Sequence, residues 1–253
     1  MGTDVNNGSQ GEGLQTAAEL RTIAWRRLPT RIFAFLVSAD FFFLAAFALL
    51  IALGRTHTRV FALVDLNLET NPPSWYASFQ LLAVALPFLV LGSKLLPIQR
   101  RAAQARRLWL VLGLGFAYLS IDEGAALHER LGPILTKIRF NIGMHSGGQW
   151  AFFYLLLAAV LLVFVRKDLV LAWRDWRPEL LLFAFGFAVL AAGEIGLEML
   201  QFAYKWQGIA KFVEIGLEEG LGMLGVSIMV LSAFRVLSRS VTWLPDSEAV
   251  PRA

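Results

Sequence analysis

The 253 residues include 57% hydrophobic side chains, 20 Phe and 8 Trp against 17% charged ones, with a mean hydropathy of +0.59. That balance excludes an ordinary soluble domain and points to an all-α integral membrane protein of one helical domain. The net charge of +4 is carried by Lys and Arg lying between apolar runs, where they orient a membrane protein rather than bind nucleic acid, and the absence of cysteine excludes disulfides and thiolate metal ligands.

In chain order, residues 1–20 read as a disordered cytoplasmic tail, since the stretch up to Gln15 is rich in Gly, Asn, Ser and Gln and has no apolar run. The run at 31–53 is longer than a signal-peptide core and has no small-x-small cleavage pattern behind it, so it reads as an uncleaved membrane helix. Further runs at 79–98, 108–128, 150–165, 180–201 and 212–237 each approach the roughly 20 residues that cross a bilayer. The expectation is a polytopic bundle of six transmembrane helices over 21–240, with a short cytoplasmic tail over 241–253. Sixteen of the 23 Lys and Arg fall in the two tails, at Lys94 and in the loops around Arg100 and Arg174. By the positive-inside rule both termini are then cytoplasmic, in a plasma (inner) membrane.

A carboxylate at the centre of such a helix costs about 3 kcal/mol, so acids survive there by pairing, taking a proton or binding a cation. Three stretches break the apolar pattern: residues 120–130, with Asp122, Glu123, His128 and Glu129; Gly193-Glu194-Ile195-Gly196-Leu197-Glu198; and Glu214-Ile215-Gly216-Leu217-Glu218-Glu219. In the expected topology Glu123, Glu194 and Glu218 reach a similar depth in the outer half of the membrane, with Glu129, Glu198 and Glu214 in a tier nearer the surface. Glu194 with Glu198, and Glu214 with Glu218, are i, i+4 pairs, while Asp122 and Glu129 are nearly eclipsed on a continuous helix. Gly124, Gly193, Gly196, Gly216 and Gly220 stand beside these acids and predict close helix approach there.

Internal repetition is also visible. Phe116-Ala117-x-Leu119-x3-Glu123 matches Phe187-Ala188-x-Leu190-x3-Glu194, and Trp75-x3-Phe79-x-Leu81-Leu82-Ala83 matches Trp150-x3-Tyr154-x-Leu156-Leu157-Ala158, which suggests a tandem repeat of two hairpins. Phe33-Ala34-x-Leu36-x3-Asp40 extends the pattern to a third acid, although apolar helices of Phe, Ala and Leu match one another by chance. Asp40 reads equally as a lone hydrogen-bonded core acid. Trp75, Trp109, Trp150, Trp173, Trp176 and Trp206 stand near span ends and read as an aromatic belt.

Carboxylates gathered this densely cannot all ionise without protons or a multivalent cation among them. The available donors suit a divalent metal ion such as Fe, Mn or Zn, with Glu123, His128, Glu129, Glu194, Glu198, Glu214 and Glu218 as candidate ligands. Asp122, Glu219 and His145 are the candidate catalytic groups, for proton transfer or as a general base. Glu123 and His128 stand five apart, so the Glu-x-x-His spacing of two-metal carboxylate bundles is absent. Plainer roles exist for each: Glu129, Glu198 and Glu214 as rim residues paired with Arg130, Lys205 or Lys211, the deeper acids as a protonated packing network, His128 as an interfacial side chain and His145 as a loop residue. The segment 64–73 reads as a plain connector, with an extended flap above the acids as the alternative.

Three functions fit this pattern. The first is a metal-dependent membrane enzyme acting on a lipid-like or quinone-like substrate at a site open to the outer leaflet. The second is a cation or proton-coupled transporter, which needs a polar path to the other face that only Asp40, Ser38 and Gln80 supply. The third is an accessory subunit whose acids pair with a basic partner.

Overall fold

The structure, a computed structural model, describes residues 7–127, 130, 149–197, 199–200 and 204–241. Among them eight α-helices form: α1 (Asn7–Ala52), α2 (Arg59–Ala62), α3 (Pro72–Gly92), α4 (Arg100–Gln104), α5 (Arg106–Ala125), α6 (Gln149–Phe164), α7 (Arg166–Ala191) and α8 (Ile209–Ser240). A π turn, Ala192–Leu197, extends α7, and the described residues hold no strand, only an isolated antiparallel bridge between Ile98 and Val241.

Among the described residues five segments are long and apolar enough to cross a membrane: Ala24–Ala52, Pro72–Gly92, Arg106–Ala125, Arg166–Leu197 and Ile209–Ser240. The chain is a multi-pass membrane protein, and large apolar side chains such as Phe35, Phe41, Phe79 and Leu114 stand exposed on its surface as lipid contact requires. The expected fourth span corresponds to α6, whose 16 described residues are shorter than a full crossing, so five spans meet the length a bilayer demands among the described residues.

Local chemistry explains where the other boundaries fall. α3 starts seven residues before the apolar run suggested, because the Asn71 side chain accepts from the Ser74 N–H at 3.2 Å and Pro72 and Pro73 occupy the first turn, where their missing N–H groups cost nothing. α5 stops at Ala125, with Ala126 in the left-handed region at φ 52° closing the helix. α1 reaches back to Asn7, within the stretch expected as a tail, where Leu14, Ala17, Ala18 and Leu20 are good helix formers behind an anchored span. α7 kinks at Trp176 (φ −124°, ψ 29°), two residues before Pro178, which divides a basic first part from the apolar crossing.

α8 is the axis of the bundle. Of its most apolar stretch 67% is buried, against at most 39% in any other span, and it packs on α1, α3, α7 and the π turn. Against α7 the contact is backbone on backbone. A methyl group on Gly225 would lie 2.5 Å from the Leu190 nitrogen and 2.6 Å from the Gly186 carbonyl oxygen, so neither helix can carry a side chain there. α3 and α5 pair similarly through Gly92 and Gly113, and near their other ends through Ser78 and Ser120, each hydroxyl donating to the other's carbonyl at 2.7 and 2.8 Å.

The end of the bundle bearing Arg101, Arg177 and Arg239 is the basic end, and the end bearing Glu69, Glu123 and Glu218 is the acidic end. The basic half is closed by packed apolar side chains. Trp109, fully buried, stacks on Phe88 at 5.7 Å and meets the edge of Trp176 at 5.8 Å, while Val84, Met229, Val230 and Val236 pack in the same core. Trp109 and Trp176 are therefore core residues and not part of an aromatic belt, which Trp75, Trp173 and Trp206 remain exposed enough to form. The repeat pattern is not carried into the packing: Gly186 presses on α8 whereas Gly115 meets nothing within 4 Å, and Phe116 is buried whereas Phe187 is exposed.

Two expectations follow for stability in detergent. Gly225→Ala must force α7 and α8 apart and lower stability by about 1–3 kcal/mol, whereas Gly115→Ala, with open space and better helix propensity, leaves the melting temperature unchanged or raised. Arg239 pairs with Glu179, whose side chain is 8% exposed, while Arg101 pairs with Asp175 across an open surface. Removing Arg239 strands a buried carboxylate, so Arg239→Ala costs about 2 kcal/mol and Arg101→Ala less than about 1, as a thermal-melt comparison of the two variants reads directly.

Candidate functional site: a carboxylate cluster at the acidic end

Glu219 stands at the centre of the acids. Glu194, Glu123, Glu218 and Glu69 all act on it electrostatically, so carboxyl groups from α8, the π turn, the end of α5 and the loop before α3 share one region. Glu219 and Glu218 follow one another on α8, half-buried one turn below the helix's first buried contacts.

The π turn is what brings Glu194 there. A π turn widens the helix by one residue per turn and so re-aims the side chains after it, at a place where functional groups often sit. Gly193 lets this turn press against α8, with its missing methyl position 2.7 Å from the Glu218 carbonyl oxygen and 3.2 Å from the Gly222 nitrogen. Gly222 in turn leaves the space that the Glu194 carboxylate fills, since a methyl on Gly222 would collide with Glu194 Oε1. Gly220 and Gly124 also stand close to a neighbouring helix, at Leu44 of α1 and Ser78 of α3, whereas Gly216 meets Phe47 only at ordinary contact distance and Gly196 meets no other helix, so close approach holds for Gly193, Gly220 and Gly124.

Not every expected member meets this group. Asp122 is buried next to Glu123 in sequence but turns to α6, where it engages the Tyr154 hydroxyl, itself 3.0 Å from the Tyr118 hydroxyl. Glu214 is buried and ion-paired with Lys211 at 3.0 Å, the rim pairing that its position near the helix start allows, and its second oxygen has no hydrogen-bond partner among the described residues. Glu194 stands in a π turn and not in an α-helix, and its expected i, i+4 partner Glu198 lies outside the described residues. His128, Glu129, His145 and Glu198 lie outside the described residues. Among the described residues no three Asp, Glu or His side chains are arranged to hold one metal ion.

Asp40 is likewise apart from the cluster, held by Tyr76, Gln80 and Ser227 near the middle of the bundle. Ser38 donates to its own helix at Ala34 and adds nothing to a polar path.

Glu69 is the member that sequence reasoning missed. Its loop is neither extended nor a free connector: Thr58 caps the short α2, Phe61 and Leu66 are buried against Phe47, Ile215 and Met223, and the Asn71 amide donates to the Asp65 carbonyl at 2.6 Å. Two buried apolar side chains thus fasten the loop over α8 and bring Glu69 toward Glu219. The signal available in the sequence was an acid three residues before the helix start at Pro72, among alternating apolar residues that had somewhere to pack.

No curated protein and no solved structure matches this chain. Residues 30–237, which hold all five spans but the ends of the first and last and every acid of the cluster, match the family model described as a domain of unknown function, DUF8692, and the chain belongs to that family.

Proposed function

We propose that this protein is a metal-dependent membrane enzyme whose carboxylate site opens at the acidic end and takes a lipid-like or quinone-like substrate. The observation that carries the reading is one-sidedness. The acids gather at one end, while the other half of α8, from Ile228 to Leu237, is buried among apolar side chains, with Met229, Val230, Ala233 and Val236 fully enclosed. A site that chemistry approaches from one face needs no second exit, whereas a transporter does.

Four carboxyl groups act on Glu219, and a divalent cation such as Fe, Mn or Zn would remove that repulsion, drawing together side chains that do not converge on one metal position among the described residues as they stand. In this reading Glu123, Glu194 and Glu218 are the ligands, joined by His128 and by Glu129 or Glu198 from the acidic end, and Glu219 and Glu69 hold or move a proton beside them. The bound ion supplies Lewis-acid or redox chemistry. Asp122, tied to Tyr154, orients α6 against α5, and His145 is the general base. Glu214, paired with Lys211, is the weakest of the proposed ligands. Six crossings, with α6 as a short one, and both termini in the cytoplasm of the inner membrane complete the proposal. Exposed Phe and Leu side chains around the spans support access for an apolar substrate from the bilayer.

Cation or proton-coupled transport is the second reading, favoured by the polar step that Asp40, Gln80 and Ser227 add below the cluster. The closed basic half weighs against it.

Elemental analysis of the detergent-purified protein tests the first reading. Wild type is expected to carry about one or two equivalents of a transition metal and the Glu123→Gln, Glu194→Gln, Glu218→Gln triple variant none. An empty wild type beside an equally well-folded triple variant rejects the metal site. Gly222→Ala is a subtler probe, because the added methyl displaces the Glu194 carboxylate without removing it. Metal affinity in that variant should fall about 10-fold or more while the fold is retained.

A further inference from the structure

Asp40 is a buried acid that the proposed site does not use, and its surroundings are unusual. It is 3% exposed and stands on α1, 16 residues into the first span. The Tyr76 hydroxyl lies 2.6 Å from Oδ1 and the Gln80 amide nitrogen 2.9 Å from the same oxygen, both from α3, while the Ser227 hydroxyl of α8 lies 2.8 Å from Oδ2. Asp40 is thus a polar knot that joins α1 to both α3 and α8.

The hydrogens in this knot are fewer than the contacts. Tyr76 carries one hydrogen, Ser227 one and the Gln80 amide two. Yet the Tyr76 oxygen is within 2.8 Å of the Leu36 carbonyl as well as of Asp40, and the Gln80 nitrogen is also 2.9 Å from Tyr76, 2.9 Å from Ser227 and 3.4 Å from the Met223 carbonyl. Two hydrogen arrangements around the carboxyl group therefore exist on the same heavy atoms, each leaving the Gln80 amide oxygen without a partner among the described residues. In the first, Asp40 is ionised and receives hydrogens from Tyr76, Gln80 and Ser227. In the second, Asp40 carries a proton on Oδ1 and donates it to the Tyr76 oxygen, whose own hydrogen turns to the Leu36 carbonyl. The contact to Leu36 is redundant in the first arrangement and required in the second.

We propose that Asp40 is a proton-binding site within the membrane, which takes up and releases one proton through Tyr76 without repacking the bundle. This goes beyond the metal-site reading and does not depend on it. Tyr76 gives the direction of exchange: it stands one turn from the start of α3 at the acidic end and is only half-buried, whereas Gln80 and Ser227 behind it are fully enclosed. A proton enters from the acidic end, reaches Asp40 by way of the Tyr76 oxygen, and goes no further, because the packed basic half begins below Ser227. From α3 the titratable group facing Asp40 is Tyr76. α8 presents only Ser227 and the Met223 carbonyl, its acids Glu214, Glu218 and Glu219 lying two turns or more away along the helix, and no charged side chain among the described residues acts on Asp40. An ionised carboxylate held by hydrogen-bond donors alone is within reach of neutralisation in a way that an ion-paired one is not.

Infrared difference spectra of the purified full-length protein, recorded against pH, test this. Wild type is expected to show a protonated-carboxyl carbonyl band that titrates between about pH 4 and pH 10 and is missing in Asp40→Asn, which keeps the shape and mimics the neutral state. Tyr76→Phe removes the relay oxygen but not the acid, and should move the midpoint of that band by about one pH unit or more. Identical titrations in wild type and Asp40→Asn overturn the proposal, since Asp40 would then hold one protonation state throughout. Should Asp40→Asn not fold, Tyr76→Phe decides: an unmoved midpoint overturns the proposal. Bands from cluster glutamates, whether or not metal is bound, are common to wild type and Asp40→Asn and cancel in the difference between them, which separates failure here from failure of the metal reading.

Discussion

Where α7 meets α8 the two backbones touch with no side chain between them, and much else in the molecule depends on that contact. In water, the burial of apolar faces would hold such helices together, but in a bilayer the lipid is as apolar as the core and close backbone packing has to supply the attraction. Gly186 and Gly225 make it possible in the middle of the helices, and Gly193 and Gly222 repeat it one to two turns nearer the acidic end. The second pair also has a chemical consequence. By omitting a side chain, Gly222 leaves the space in which the Glu194 carboxylate sits against α8, so the packing device and the acidic site are built from the same residues.

The bundle is divided by polarity along its axis rather than across it. Toward the basic end the interior is mostly aromatic and aliphatic, with Trp109 stacked on Phe88, edge-on to Trp176 and its N–H satisfied by the Ala102 carbonyl at 3.0 Å, and its buried polar groups, such as Glu179 and Ser232, lie in local pairs. Toward the acidic end the interior carries carboxylates, hydroxyls and an amide. Buried polar groups in a membrane protein are tolerated when they are mutually satisfied. The two polar assemblies differ: the Asp40 carboxylate is satisfied by hydrogen bonds from two neighbouring helices, although the Gln80 amide oxygen beside it has no partner among the described residues, and the glutamate cluster brings together groups from four segments, a gathering of like charge that calls for a cation or protons.

α6 stands aside from this arrangement. Its tie to the bundle runs through Tyr154, which meets Tyr118 and Asp122 of α5, and most of its remaining surface is apolar and exposed. Asp122 and Glu123, adjacent in sequence, thus serve different partners, one joining a peripheral helix and the other the acidic cluster.

The sequence by itself determined the class of protein, the approximate place of the spans and the presence of acids near one end, because these depend on composition and on the length of apolar runs. It also made glycines beside the acids legible as points of close approach. What only the tertiary structure decided was rotation and company: that Asp40 joins Tyr76, Gln80 and Ser227 instead of the glutamates, that Glu69 comes in from a loop, that Asp122 turns to α6, and that Trp109 and Trp176 are core residues. The physical reason is that a helix apolar on every side carries little periodic signal, since its lipid-facing and core-facing residues are chemically alike. Which face turns inward is then set by where a neighbour lacks a side chain or offers a hydrogen-bond partner, and those neighbours are far away in sequence. The π turn at Ala192–Leu197 belongs to the same class of decision, for it exists where α7, pressed on α8 through Gly193, must bring one carboxylate round to the others.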